Sequence, residues 1–292
     1  MEAAIQKVIC LVCQNQVATF RFRKDGYAFF RCAACGALFV SPTPSGLEKI
    51  YTKDYFFGAK EGFGYENYDS DKEVMRRTFI RYLKRIEEIL PNKGSLFDIG
   101  AATGFFVHEA SKREWKASGV DASKEAALIA QSNGIDVRDG TFQSLNISKD
   151  SFDAVTLLDV VEHVPDPRGL LLEVSRAMKS GGVLVLNTPD AGSLFARLMG
   201  RRWHLVVPPE HIVLFNRYNM RLLLEESGFE VVSITCVGKR FTARYILHML
   251  SRSISPMLYP KFFKKHAVTL DAISISLNLR DNMFVLARKR IG

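Results

Sequence analysis

GSLFDIGAATGFFVHEA, residues 94–110, is the stretch that decides the fold. Leu96, Phe97 and Ile99 sit in a run of strand length that ends at Asp98-Ile99-Gly100, and the residues after Gly104 read as an apolar helix. Gly100 and Gly104 let the chain turn tightly from strand into helix with its backbone close to a ligand, whose carboxylate can meet the helix N-terminal amides. A second strand ends in GVDAS (119–123), which places Asp121 twenty-one residues after Gly100, where an acidic side chain can accept both hydroxyls of a ribose. A nicotinamide dinucleotide needs G-x-G-x-x-G; here Ala102 takes the middle position, and Asp98 would repel a pyrophosphate but suits a cationic ligand.

Outward from this turn the chain alternates. KASGV is followed by a helix over 123–132, IDVR, FDAVTLL, a helix near 167–178, GGVLVLN, a helix near 217–227, FEVVSITCV and finally NMFVLARK. Such βα alternation predicts an α/β fold, a Rossmann-like, mostly parallel sheet covered by helices on both faces, with ligands at the carboxyl ends of its strands. Upstream, Val74, Phe79, Leu83, Ile86 and Leu90 share one face of a helix over 70–90 that Pro91 stops. The organisation expected is a ribbon over 1–45, an aromatic lid segment and leading helix over 46–92, and the α/β domain over 93–292 with a basic cap insertion at about 239–267. SPTPSG (41–46) marks the end of the ribbon.

Four of the five cysteines form C-x2-C pairs, Cys10/Cys13 and Cys32/Cys35, separated by eighteen residues. Each pair puts two thiolates on one tight turn, and two such turns supply the tetrahedral sulfur set that Zn(II) prefers. Two disulfides or a redox pair are the competing readings, and no secretory signal or redox helix accompanies them. A four-thiolate site has no open position, so the metal is expected to be structural. Cys236, alone in an apolar stretch, is expected to be a buried packing residue.

Composition is that of an ordinary globular protein, with 47% hydrophobic and 24% charged residues. The N-terminus has neither a basic leader nor an apolar core, and no apolar run approaches the ~20 residues of a membrane span, so a cytoplasmic location without a transmembrane segment is expected. Residues 236–292 hold eleven Lys/Arg against Asp271 and Asp281, which accounts for the whole net charge of +9. That basic patch suits phosphate, nucleotide sugar, nucleic acid or an anionic membrane surface, or is a solvated face.

In order, GSLFDIGAATGFFVHEA, GVDAS, RDGTFQSL, FDAVTLLDVVEHVPDP and AMKSGGVLVLNTPD resemble the successive motifs of class I S-adenosylmethionine-dependent methyltransferases, over about residues 70–235. The pattern departs at Ala101 and Ala102, where many members have Cys-Gly or other small residues. The resemblance implies S-adenosyl-L-methionine as cofactor and a seven-stranded sheet of order 3-2-1-4-5-7-6 with an antiparallel last strand. It assigns Asp98, Gly100 and Gly104 to the methionine part and Asp121 to the ribose. Gly140, Thr141 and Phe142 fall at the adenine, and Asp159 near the methionine amine.

Methyl transfer is an in-line displacement on an activated carbon, so positioning supplies most of the catalysis, and a base helps when the nucleophile is a hydroxyl or an acidic carbon. His163 in VVEHVPDP and His211 in PPEHIVLF each follow a glutamate, Glu162 and Glu210, near the expected mouth of the site. The run NTPDAGSLFARLMGRRWHLVVPPEHIVLFN resembles zinc-ribbon methyltransferases of sugar and polysaccharide modification, in which the matching Glu-His pair is implicated in catalysis. By that resemblance Glu210 and His211 are the catalytic candidates, with His163 beside them, and the acceptor is a sugar or glycan-linked small molecule, methylated at oxygen or carbon. RNA methylation, using the cysteine module and basic region, is the second enzymatic reading, although Asp159-Val160-Val161-Glu162 stands where a base-gripping N-P-P-F/Y motif belongs. A non-enzymatic zinc-ribbon nucleic-acid binder is a third reading, which leaves the cofactor turn unexplained.

Overall fold

The computed structural model describes residues 5–46, 68–243, 246 and 274–291. The proposed aromatic lid at 47–67 and most of the basic cap insertion lie outside these residues. The elements run β1 (Ile5–Lys7), β2 (Val17–Lys24), β3 (Tyr27–Cys32), β4 (Leu38–Val40), α1 (Tyr68–Ile89), β5 (Ser95–Ile99), α2 (Phe105–Ser111), β6 (Lys116–Asp121), α3 (Lys124–Ser132) and β7 (Val137–Asp139). They continue with β8 (Phe152–Leu158), α4 (Pro167–Ala177), β9 (Met178–Pro189), α5 (Leu194–Met199), β10 (Val213–Leu214), α6 (Arg217–Glu226), β11 (Phe229–Thr235), β12 (Lys239–Thr242), β13 (Ser274–Leu277) and β14 (Asn282–Lys289).

Seven strands form the main sheet in the order β7-β6-β5-β8-β9-β14-β11, which counted along the α/β region is 3-2-1-4-5-7-6. Strands β5 to β9 are parallel, and β14 enters antiparallel between β9 and β11. This follows from the sequence: Leu96, Phe97, Val155, Leu157, Leu184, Val185 and Leu186 are fully buried, as strands covered on both faces must be. The carboxyl ends of β5, β6 and β8 therefore open on one edge, to either side of the point where the strand order reverses.

Helix α1 covers this sheet with Phe79, Leu83 and Ile86, and also with Met75 and Tyr82, two residues outside the predicted stripe. The Tyr82 ring stacks on Phe284 of β14 at 4.5 Å. Strands β12 and β13 pair antiparallel at the base of the basic insertion. Cys236 departs from expectation: it is only half-buried, because it lies just past the end of β11 beside Arg217, whose Nη2 donates to its sulfur at 2.9 Å.

The N-terminal ribbon does not stand apart from the main domain. Its sheet runs β1-β2-β3-β4-β10, and β10 comes from the segment between β9 and α6. Leu38 pairs with Leu214 and Phe39 with Val213, and the Val40 amide donates to the Ile212 carbonyl at 2.9 Å. Strand β4 is three buried apolar residues, an edge that would invite aggregation if left uncovered, and β10 covers it. Side chains add to the seam. Lys24 Nζ donates to the Val206 carbonyl at 2.6 Å, and Asn219 Nδ2 donates to the Cys35 carbonyl at 3.3 Å.

Asn219 is fully buried and has a second duty: its Oδ1 accepts from the Asn216 amide at 2.9 Å in the capping box that starts α6. Asn219→Ala leaves the Asn216 cap in place but removes the reciprocal bond to the Asn216 amide and orphans a carbonyl on the cysteine turn, so it should cost about 2–3 kcal/mol in urea unfolding. A loss below about 0.5 kcal/mol, the range of neutral surface changes, would mean that this seam carries little of the stability.

Candidate active site

The first turn is built as the glycines require. Gly100, Ala102 and Gly104 all have positive φ, +77°, +48° and +80°. A Cβ on Gly100 would lie 2.4 Å from Val160 Cγ2, so only glycine fits there. Ala102 stands in the left-handed region that glycine adopts more cheaply. What holds it is Asp121, whose Oδ2 accepts from the Ala102 amide at 2.7 Å while its Oδ1 accepts from the Ser123 amide at 2.8 Å. Burial pushes the Asp121 carboxyl up and these two amides pull it back. The acid read from the sequence as a ribose ligand thus also ties the turn after β5 to the turn after β6, a role the spacing did not reveal.

Asp98 is buried and accepts from Thr156 Oγ1 at 2.5 Å. Phe142 is buried with its ring edge-on to Phe97 at 5.6 Å, whereas Thr141 is exposed and its hydroxyl accepts from the Ser144 amide at 3.3 Å. Phe142 can supply an apolar wall. Thr141 is engaged in its own turn, between Gly140, which has φ +120°, and the Ser144 amide.

Asp159, at the end of β8, also has positive φ, +59°. Its amide donates to the Asn187 carbonyl at 2.7 Å, and its Oδ1 accepts from Asn187 Nδ2 at 2.5 Å. The same Asn187 side chain accepts from the Tyr82 hydroxyl at 3.3 Å. Neither Asn187 nor Tyr82 was legible as a site residue, because their link crosses from α1 to β9 and leaves no local motif.

On the facing side, the 190–212 segment folds over the ends of β8 and β9. Trp203 is 2% exposed and its indole N–H donates to Asp281 Oδ2 at 2.9 Å. His163 and His211, distant in sequence, meet edge to face with ring centroids 4.7 Å apart. His163 Nδ1 donates to the Glu210 carbonyl at 2.9 Å, so the contribution of Glu210 to this pair is its backbone. That bond ties His163, which follows β8, to the folded segment. His211 Nδ1 lies 2.7 Å from the Leu205 carbonyl; a carbonyl only accepts, so Nδ1 carries the proton and Nε2 the lone pair. Burial, then the neighbouring His163, pushes the His211 pKa down to about 3, and burial lowers His163 as well. The carboxylate of Glu162, which accepts from Thr188 Oγ1 at 2.9 Å, lies with both imidazoles inside a 4.8 Å cluster.

The four ribbon cysteines converge. Their sulfurs lie within 4.8 Å of one another, with Cys10–Cys35 at 3.6 Å and Cys13–Cys32 at 3.5 Å. Tetrahedral Zn–S bonds of ~2.3 Å put sulfurs roughly 3.8 Å apart, so the set fits that ion. The contact with Cys35 pulls the Cys10 thiol down to about 5, toward the thiolate a metal needs.

A family model described as a methyltransferase domain matches residues 72–234. The chain belongs to this family. The chain is 30% identical over 125 residues to a ubiquinone biosynthesis O-methyltransferase of Alkalilimnicola ehrlichii, a match spanning 39% of this chain and 50% of that protein. It is 29% identical over 134 residues to protein MJ1123 of Methanocaldococcus jannaschii, spanning 46% and 62%. The chain thus spans between half and two thirds of the length of these curated relatives. Among solved structures, a SAM-dependent methyltransferase of Archaeoglobus fulgidus superposes with TM-score 0.52 at 17% identity over 75% of this chain and 94% of that one. The Bacillus subtilis YcgJ protein gives 0.51 at 20% identity over 74% and 99%. These likenesses establish the fold. No helix among the described residues is long and apolar enough to cross a membrane.

The buried histidines make stability depend on pH in a definite direction. Both have folded pKa values below the unfolded ~6.5, so the unfolded chain binds more protons in that window, and stability is fully present above pH 6.5 and lost as pH falls. Between pH 6 and 5 the loss from His211 should approach roughly 1.4 kcal/mol per pH unit, with His163 adding to it in the same direction. Urea unfolding across pH 5–8 should show it, with a shallower slope in His211→Asn. An equal slope in that variant would place the proton uptake elsewhere.

Proposed function

We propose that this methyltransferase moves a methyl group from S-adenosyl-L-methionine to a hydroxyl of a small-molecule acceptor, most naturally a sugar or glycan-linked one, with His211 as general base and a structural zinc on Cys10, Cys13, Cys32 and Cys35. The cofactor fits the acids of the cleft. Asp159 and Asp98 suit a ligand bearing an ammonium and a sulfonium, Asp121 retains lone pairs for ribose hydroxyls, and Phe142 offers the adenine an apolar neighbour. When bound, the cofactor supplies a methyl group on positive sulfur.

The observation that carries the assignment is the fixed tautomer of His211, whose Nδ1–H is given to the Leu205 carbonyl, so that Nε2 can take a proton. A base with so low a pKa still suffices. An acceptor hydroxyl taking up the methyl group would become strongly acidic, so Nε2 of His211 would accept its proton, and nearby Asp159 favours the imidazolium formed. His163, held by the Glu210 carbonyl, positions the pair. The relatives named as O-methyltransferases support an oxygen acceptor, and the Glu210-His211 motif supports a sugar.

The test is acceptor turnover on protein shown by elemental analysis to carry about one zinc per chain. His211→Ala should lower turnover by about 100-fold while cofactor affinity stays within about twofold, as for a base outside the cofactor pocket. Wild-type turnover in His211→Ala across pH 6–9 would leave positioning alone to carry the reaction.

A further inference from the structure

We infer that Tyr82 is a positioning residue for the amino-acid end of the cofactor, acting through Asn187 on the carboxylate of Asp159; this rests on the cofactor reading above. The chain of contacts starts in α1. Tyr82 is 1% exposed, and its ring lies flat on Phe284, with centroids 4.5 Å apart and planes at 24°. Phe284 is the cross-strand partner of Asn187, so the stacked ring sets the phenol against the Asn187 side chain. There the hydroxyl donates to Asn187 Oδ1 at 3.3 Å. Burial, with the charge of Asp159 nearby, raises the phenol pKa above its ordinary range, so Tyr82 stays a donor.

The Asn187 amide is held at both ends, its Nδ2 by the Asp159 carboxylate, which only accepts, and its Oδ1 by the phenol. Its Nδ2 donates to Asp159 Oδ1 at 2.5 Å. Asn187 also fixes the Asp159 backbone, accepting its amide at 2.7 Å, at a residue whose φ of +59° needs support. Asp159 is thereby held at two points by one asparagine, and the phenol holds the asparagine. Without the phenol, Oδ1 loses its donor, and the amide that holds the carboxylate is anchored at one end only, so the acid is less firmly placed. The packing of α1 does not require the hydroxyl, since phenylalanine fills the same space on Phe284. A polar tip at this buried position is explained by what it orders.

The test compares two ligands that differ at the amino-acid end. S-adenosylhomocysteine carries the ammonium that Asp159 would meet, and 5′-methylthioadenosine lacks it while keeping adenine and ribose. Calorimetric titration of the full chain should show Tyr82→Phe weakening S-adenosylhomocysteine by about tenfold, the loss of one supporting hydrogen bond to a charged group, with methylthioadenosine within about twofold of wild type. Asp159→Asn should show the same selectivity with a larger loss, and adding Tyr82→Phe to it should weaken binding no further. Equal loss of both ligands would make Tyr82 a packing residue only, and no loss of either would overturn the relay. Wild-type protein that binds neither ligand would instead remove the cofactor reading on which the relay rests.

Discussion

One carboxylate holds the site together. Asp121 accepts from the Ala102 amide and from the Ser123 amide, so it joins the turn after β5 to the turn after β6 and keeps Ala102 in a left-handed conformation. Alanine pays a steric penalty there that glycine would not, and a charge-assisted hydrogen bond from a buried acid offsets it. Gly100 approaches Val160 too closely for any side chain, and Asp98 is tied to Thr156 on β8. The three strand ends that open the cleft are thus fixed to one another before any ligand arrives, which is the preorganisation that a displacement reaction depends on.

The second constraint lies in the segment between β9 and α6. The segment that carries Trp203, Glu210 and His211 has little regular structure of its own, yet Trp203, Val206, Ile212, Val213 and Leu214 are buried. It is held from both ends. Val213 and Leu214 complete the edge of the cysteine ribbon, while His163 and Asp281 grip it from the methyltransferase sheet. The cysteine turns reach α6 directly through Asn219, so the ribbon acts as a buttress for the wall that bears His211. A metal held by four thiolates would stiffen the far side of that buttress.

Much of this was legible in the sequence, and the limits of legibility are physical. Strand β5, its glycine turn and Asp121 are local in sequence, because a strand, a turn and a helix must follow each other at fixed spacing. The cysteine pairs are legible for the same reason. What sequence spacing cannot carry is contact between distant segments. His163 and His211 read as candidates from two separate motifs, and only the fold sets their rings 4.7 Å apart. The pairing of Leu38 with Leu214, the tie from Asn219 to Cys35 and the path from Tyr82 to Asp159 each join elements more than seventy residues apart. The sequence names Glu210 only through the resemblance of its Glu-His pair, and the atom it gives to His163 is its carbonyl oxygen, which every residue type possesses and no motif can signal.

The account's central claim is that the turn tied by Asp121 is a cofactor cradle, and calorimetric titration with S-adenosyl-L-methionine tests it most directly. The folded wild-type protein should bind one molecule per chain, and Asp121→Asn, which keeps the shape but removes the charge, should bind about 10- to 100-fold more weakly, as for lost charge-assisted hydrogen bonds. Folded wild-type protein that gives no binding would contradict the claim, and so would an Asp121→Asn protein that binds as tightly as wild type.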